Sequence, residues 1–491
     1  MTCSRTFLFR WFTLLGLVIA NFTILFTPQL RSEDEVLKIG DRRELFIDDY
    51  LIDSLEGVTQ QLNRVQNEGS IFPLDQPWEG RHSGYVTVIR DGDRYLCYYR
   101  GSMGGSQGKE VIEQTCLALS DDGIHWTKPV LKLYEFNGSK ANNILIGDSL
   151  SQTHNFCPFH DTNPKVKPEE RFKALGGVKQ KSKGLLAFSS PDGIHWKQMQ
   201  EAPVITYGAF DSQNVPMWSE AEQKYLCYLR IFATNHRRVA RSESTDFLSW
   251  TKGKMMEYKG APLEHIYINQ TQPYFRAPHI YVATAARLFE KRQVITKEEA
   301  EEIDLTPRYI SDISDGVLMT SRGGYEYDRT FMEGFIRPAI GPANWTSRNN
   351  YPGLGIVKTG DNEMSVYAVQ HYGQPDCYIA RFSLRLDGFA SIKADYDGGT
   401  FTTKPFIFEG KVLTLNFATS AAGEIHVEIQ DSDGEPIPGF TLAEAEPTIG
   451  NEISRTVRWT SGTDVSELAG KPIRLHFKMK DADLYAIKFE K

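Results

Sequence analysis

SDDGIHW at Ser120–Trp126, SPDGIHW at Ser190–Trp196 and STDFLSW at Ser244–Trp250 fit one template, SxDxxxW. In each, the Asp caps its own turn as an Asx motif and the Trp packs on a neighbouring sheet, while Gly123 and Gly193 supply a positive φ. Such hairpins are structural punctuation. Two looser copies, SRGGYEY at Ser321–Tyr327 and SLRLDGF at Ser383–Phe389, also close on an aromatic. The closing aromatics at 126, 196, 250, 327 and 389 lie 70, 54, 77 and 62 residues apart, about what a four-stranded antiparallel sheet with long loops needs.

Strands read back from these turns in register. RYLCYYR at Arg94–Arg100 and KYLCYLR at Lys224–Arg230 are alternating second strands, joined by Arg171–Val178, Pro278–Ala285 and Glu363–Tyr372. First strands fall at Gly84–Ile89, Phe156–His160, Val215–Trp218, Pro273–Phe275 and Tyr351–Val357. The expected fold is all-β: a five-bladed β-propeller over 33–393, followed by a C-terminal β-sandwich over 394–491, where valine- and threonine-rich strands alternate with GEP, GTD and AGKP turns. Glu44–Leu51 (ELFIDDYL) is expected to close the ring against the last blade. Thr296 and Glu299 make a capping box, so TKEEAEEIDL reads as a short inserted surface helix.

The 491 residues carry a net charge of −8 and no Lys/Arg-dense segment, which excludes a nucleic-acid surface. Arg5 and Arg10 precede an apolar run from Trp11 to Phe26, so residues 1–32 are expected to be an export signal or a membrane anchor. Removing them takes three arginines and leaves a body of net charge −11. Five body cysteines at irregular spacing form no disulfide framework, and buried thiols are expected. No CxxC pair, HExxH, P-loop or nucleotide fingerprint is present, so neither a catalytic metal nor a cofactor is expected; a structural Ca2+ in the funnel is left open.

In a propeller the turns leading into the inner strands crowd one mouth of the central channel. Here they carry Arg81-His82-Ser83, His154-Asn155, Asp211-Ser212-Gln213-Asn214, Gln270-Thr271-Gln272 and Arg348-Asn349-Asn350. Amides, imidazoles and guanidinium groups suit a hydroxyl-rich ligand, and Arg81, His82, His154, Asn155, Asn214, Gln272, Arg337 and Asn349 are the expected binding residues. Glycosidic cleavage needs two carboxyl groups, one protonated and one ionised. Glu333, flanked by Phe331, Met332 and Phe335, is the expected general acid, Asp211 the base or nucleophile, and Glu79 a third carboxylate.

With these hairpins and five units, Glu44–Ile392 resembles the five-bladed propeller glycoside hydrolases, the broad group containing families 32 and 43. That resemblance implies a propeller followed by a sandwich, three inner carboxylates and hydrolysis of glycosidic bonds by an exported protein. The chain lacks a WMNDPNG-like first strand and the RDP and ECP triplets, so its carboxylates are assigned by position. Sialidases carry a related Asp box with one more residue before the glycine and six blades, a weaker match. The other expectation is a carbohydrate-binding propeller without catalysis.

Overall fold

The structure, a computed structural model, describes residues 36–103, 112–147, 152 and 154–491. The expected export segment lies outside them. The chain is all-β with almost no helix, and its central part is a ring of five antiparallel blades. From the axis outward, blade one is Gly84–Asp91, Arg94–Met103, Ile112–Ser120 and Ile144–Ile146. Blade two runs Cys157–His160, Phe172–Gly176, Leu186–Ser190 and Lys197–Gln198; blade three runs Val215–Ser219, Lys224–Ala233, His236–Ser244 and Lys254–Met255. Blade four pairs His265–Ile268 and Thr271–Tyr274 with Ala277–Phe289, then Ile313–Ser321 and Gly334–Ile336.

Blade five borrows its outermost strand. Tyr351–Pro352 and Val357–Lys358 pair with Glu363–Gln370, then comes Tyr378–Arg385, and Gln66–Pro73 completes the sheet, with Ile379 opposite Phe72. The closing strand is therefore 66–73, not Glu44–Leu51. An outermost strand has one edge in solvent, so QNEGSIFP carries a polar pattern that hides it among turns. Glu44–Leu45 pairs instead with Ala486–Ile487, and Phe46 packs edge-on against Phe401 at 5.1 Å.

Strands Leu37–Gly40, Glu44–Leu45, Ile52–Glu56 and Val58–Leu62 join the segments after Ala390 in one continuous ten-stranded sheet. Strand pairing thus divides the chain differently from an expected boundary at 393/394, because 37–62 belongs with the C-terminal strands. Two long strands, Val412–Asp431 and Pro472–Glu490, run side by side through it, with register breaks at Asn416/Phe417 and Thr419/Glu424. Phe401, Phe408, Phe477, Phe489 and Trp459 fill its core. Asp387 links this sheet to the ring: its carboxylate accepts from Arg43, Tyr274 Oη (2.8 Å) and Asn416 Nδ2 (2.8 Å).

The three strict hairpins form as expected. Asp192 Oδ1 accepts from the backbone N–H of Ile194 and His195, both at 2.8 Å, and Trp196 Nε1 donates to Gly193 O. Asp122 and Asp246 repeat the pattern. Asp192→Ala strands two turn donors, so a loss of about 1–2 kcal/mol in urea-unfolding stability is expected, with m unchanged. The helix Lys297–Glu302 carries its capping box, Thr296 Oγ1 accepting from Glu299 N and Glu299 Oε2 from Thr296 N. The five described cysteines are free and buried.

Candidate active site

Side chains from blades three and four tie the five inner strands together across the axis. Gln213 Nε2 donates to Thr87 Oγ1 (2.7 Å) in blade one and lies 3.6 Å from Cys157 Sγ in blade two. Gln270 Nε2 donates to Gln213 Oε1 (2.6 Å) and to Pro352 O (2.9 Å) in blade five. Inner strands of blades one and five also touch, with Val88 N donating to Leu354 O at 2.7 Å. This amide plug divides the channel into two cups.

One cup faces the far ends of the inner strands. It is a cavity of about 600 Å3 walled by Ile89, Pro158, Phe159, Met217, Trp218 and Tyr274, with Gln272 at its inner end. Its lining is mostly apolar. Asp161, bonded to Lys173 Nζ (2.6 Å) and Tyr225 Oη (2.8 Å), lies on this side, as its position at a strand end implies.

The other cup lies where the inner strands begin, and it concentrates charge. Arg100, which ends RYLCYYR, pairs with Glu113 (3.2 Å) and donates to Asn155 Oδ1 (3.1 Å), His82 O (2.8 Å) and Tyr372 Oη (3.2 Å). Glu113 Oε2 meets His154 Nδ1 at 2.8 Å, and His154 Nε2 faces Asp211 Oδ1 at 3.4 Å and Asn155 Nδ2 at 3.2 Å. A chain Arg100–Glu113–His154–Asp211 therefore runs from buried to open, the last carboxylate being 62% exposed against 10% for His154.

Burial works against the His154 imidazolium, but Asp211 and Glu113 on its two nitrogens outweigh it and raise its pKa. With both nitrogens protonated, Nε2–H donates to Asp211. That hydrogen bond is the largest influence on Asp211 and lowers its pKa well below the carboxylate norm; Arg230 and Arg348 add to the effect. Asp211 is ionised at neutral pH. Its loop is braced from behind: Asn214 Nδ2 donates to Phe210 O and Ser212 O, and Ser212 Oγ donates to Tyr267 O.

Tyrosines wall the rest. Arg100 lies over Tyr85 (4.4 Å), and Arg348 lies over Tyr267 (5.3 Å), Tyr309 (5.2 Å) and Tyr372 (5.8 Å). Tyr267 packs on Tyr351 at 5.1 Å. Between Tyr85, Arg348, Tyr351 and Tyr372 only about 10 Å3 remains open, so these side chains close the floor of the cup. The insertion after Thr296 delivers Thr306 and Tyr309: His82 Nε2 is 3.2 Å from Thr306 Oγ1. Tyr85, Asn155, Gln270, Arg348, Asn350 and His371 all hold φ between 49° and 60° at this mouth. A positive φ costs a side-chain-bearing residue energy that glycine avoids, and such residues cluster where the side chain is used.

The expected site residues separate accordingly. Asp211, His82, His154 and Asn155 come together. Arg81 sits at the rim, held by Asp304 at 2.8 and 2.9 Å. Asn349 braces the mouth from within the fold, its Oδ1 accepting from His371 N and its Nδ2 donating to Ala343 O, and Asn214 braces the Asp211 loop. Gln272 belongs to the opposite cup.

Two expected catalytic carboxylates stand elsewhere. Glu79 is enclosed by Tyr99 Oη (2.5 Å), Lys128 Nζ (2.7 Å) and Gln76 N (3.0 Å), with no exposed side-chain surface. Glu333 and Arg337 lie by the outermost strand of blade four, beside Gln61–Arg64, with two strands between it and the inner one. Phe331 and Phe335 turn into the core while Glu333 points to solvent, so the desolvation expected of a general acid is missing. The segment FMEGFIRP at 331–338 contains the edge strand Gly334–Ile336 and does not lead into an inner strand, so Glu333 stays away from the mouth. Residues that the turns did not announce are Glu113, Arg230 and five tyrosines. The common terminal arginine of RYLCYYR and KYLCYLR was the available signal.

No family model matches the chain, and no curated protein matches it. Solved structures similar to it include an N-acetylgalactosamine deacetylase from F. plautii in complex with blood group B trisaccharide (13% identity, 69% of this chain and 96% of that one, TM-score 0.43). A glycosyl hydrolase from Bacteroides ovatus is similar at 12% identity, over 66% of this chain and 94% of the other, with a TM-score of 0.41. A β-1,2-mannobiose phosphorylase from Listeria innocua in complex with β-1,2-mannobiose is similar at 10% identity, over 62% and 90%, with a TM-score of 0.40.

Proposed function

We propose that the polar mouth binds a carbohydrate and cleaves its glycosidic bond, with Asp211 as the ionised base or nucleophile. The observation that carries this reading is the exposed Asp211 carboxylate at the end of the Arg100–Glu113–His154 chain, which orients and ionises it. His154 is a positioning residue. Its Nε2 is 3.4 Å from Asp211, too close for an acid and its partner carboxylate that stand about 5 Å or more apart across a scissile bond, so it is not assigned as the acid. Export and kinship with families 32 and 43 belong to the same proposal, supported by the N-terminal run and the repeat hairpins.

Release of reducing ends from a glycan panel tests it directly. A second reading, a carbohydrate-binding propeller without catalysis, is favoured by one fact: Glu79 and Glu333 are not in the mouth. Binding of a glycan without its cleavage would select that reading. For the enzyme, kcat/KM should fall on the alkaline side with a midpoint above 6.5, the ordinary His value, as His154 loses its proton. On the acid side it should fall only below 3.8, the ordinary Asp value, because Asp211 is held ionised. A single alkaline midpoint below 6.5 would contradict the His154 assignment.

A further inference from the structure

Seven arginines are buried among the described residues: Arg43, Arg100, Arg230, Arg238, Arg241, Arg329 and Arg381. Six have a carboxylate within 4.0 Å, as a buried guanidinium requires. Arg230 has none. It ends KYLCYLR at the mouth, 4.9 Å from the Tyr267 centroid. Arg348 approaches the same ring at 5.3 Å, is held at φ 60°, and forms no ion pair among the described residues; its hydrogen bond goes to Tyr309 Oη at 3.3 Å.

Two guanidinium groups thus approach one aromatic ring with no carboxylate within 4.0 Å among the described residues, although both act on Asp211 from further away. A third, Arg237, lies 5.3 Å from that ring, but Glu290 neutralises it. Among the described residues the tyrosine floor of this cup meets Arg100, Arg230 and Arg348 against Glu113 and Asp211, one positive charge in excess with His154 neutral, while Arg81 and His371 at the rim are paired with Asp304 and Asp376; the whole chain is at −8. Concentrated like charge at a tyrosine-walled mouth lowers the energy of an arriving anion, and planar guanidinium groups match the geometry of an oxyanion.

We propose that Arg230 and Arg348 bind the oxyanion substituent of an acidic sugar, a carboxylate or a sulfate ester, placed so that the adjoining glycosidic bond faces Asp211. This rests on reading the mouth as a carbohydrate site. The test is calorimetric titration of the whole protein with matched oligosaccharides: a uronate-containing, a sulfated and a neutral set, and inorganic phosphate alone. Wild type, Arg348→Gln and Arg230→Lys are compared, with circular dichroism melting to verify folding.

At least one acidic set is expected to bind about tenfold or more tightly than its neutral counterpart, with that preference lost in Arg348→Gln and reduced in Arg230→Lys. Which set wins separates carboxylate from sulfate. Equal binding of neutral and acidic sugars, or a preference that survives in both folded variants, would overturn the proposal while leaving the carbohydrate site intact. Phosphate binding that depends on both arginines, without preference among the sugars, would overturn it in favour of a free anion. If no glycan binds, the carbohydrate reading itself fails and takes this proposal with it.

Discussion

Asp211→Asn is expected to lower kcat/KM on a glycan substrate by about 10²–10⁴-fold, the range over which a positioned acid or base contributes. The amide keeps the size of the side chain and its place facing His154, but it carries no charge to accept a proton or attack a sugar carbon. Folding should be unaffected, because the carboxylate is 62% exposed and its loop is braced by Asn214 and Ser212 instead. His154→Gln should lower activity less, since it removes orientation and leaves the carboxylate. Glu333→Gln should leave turnover unchanged, as its side chain lies at the perimeter of blade four. Loss of activity in that variant with Asp211→Asn unimpaired would reverse the assignment.

The largest loss of stability is expected at Glu44. Its carboxylate is fully enclosed and meets Arg322 (2.7 Å), Arg42 (2.9 Å) and His279 (3.1 Å), while Arg322 also grips Asp48 at 2.8 and 3.1 Å. Arg322 belongs to the SRGGYEY turn of blade four, so the cluster fastens the N-terminal strand segment to the ring. Glu44→Gln removes the fully enclosed charge on which Arg322, Arg42 and His279 converge and should cost about 3–5 kcal/mol in unfolding free energy. Burial alone would raise the Glu44 pKa, but Arg322, His279 and Arg42 overcome it and lower it to about 2 from 4.5.

The sign of the pH dependence follows from that depression. The stabilisation is complete above pH 4.5, and it is lost as pH falls from 4.5 towards 2, where the folded protein takes up the proton. Acid-induced unfolding of Glu44→Gln should therefore show a shallower slope across that interval than the wild type.

Blade architecture was legible because it is written in local chemistry. Ser120, Asp122 and Trp126 specify their hairpin within seven residues, and its repetition counts the blades. Closure was not legible, since Gln66–Pro73 is an edge strand selected by its partner Tyr378–Arg385 and carries little apolar alternation of its own. The site was half legible. His154 and Asp211 sit at turns where polar residues can be compared in register. Glu113 and Tyr267 lie where a blade core is also built, so their types look like packing until the axis is located. Glu79 shows the converse: it stands just ahead of the Arg81-His82-Ser83 turn and so is expected to be a third carboxylate of the mouth, and Lys128, Tyr99 and Gln76 enclose it only in space.

The most direct test of the central claim, that ligand and chemistry belong to the polar cup and not to the larger apolar one, is a crystal structure of the protein with a bound oligosaccharide. Sugar density against Asp211, Arg348 and the Tyr267 face is the predicted result. Density confined to the cavity walled by Trp218 and Tyr274, with the polar cup empty, would contradict it.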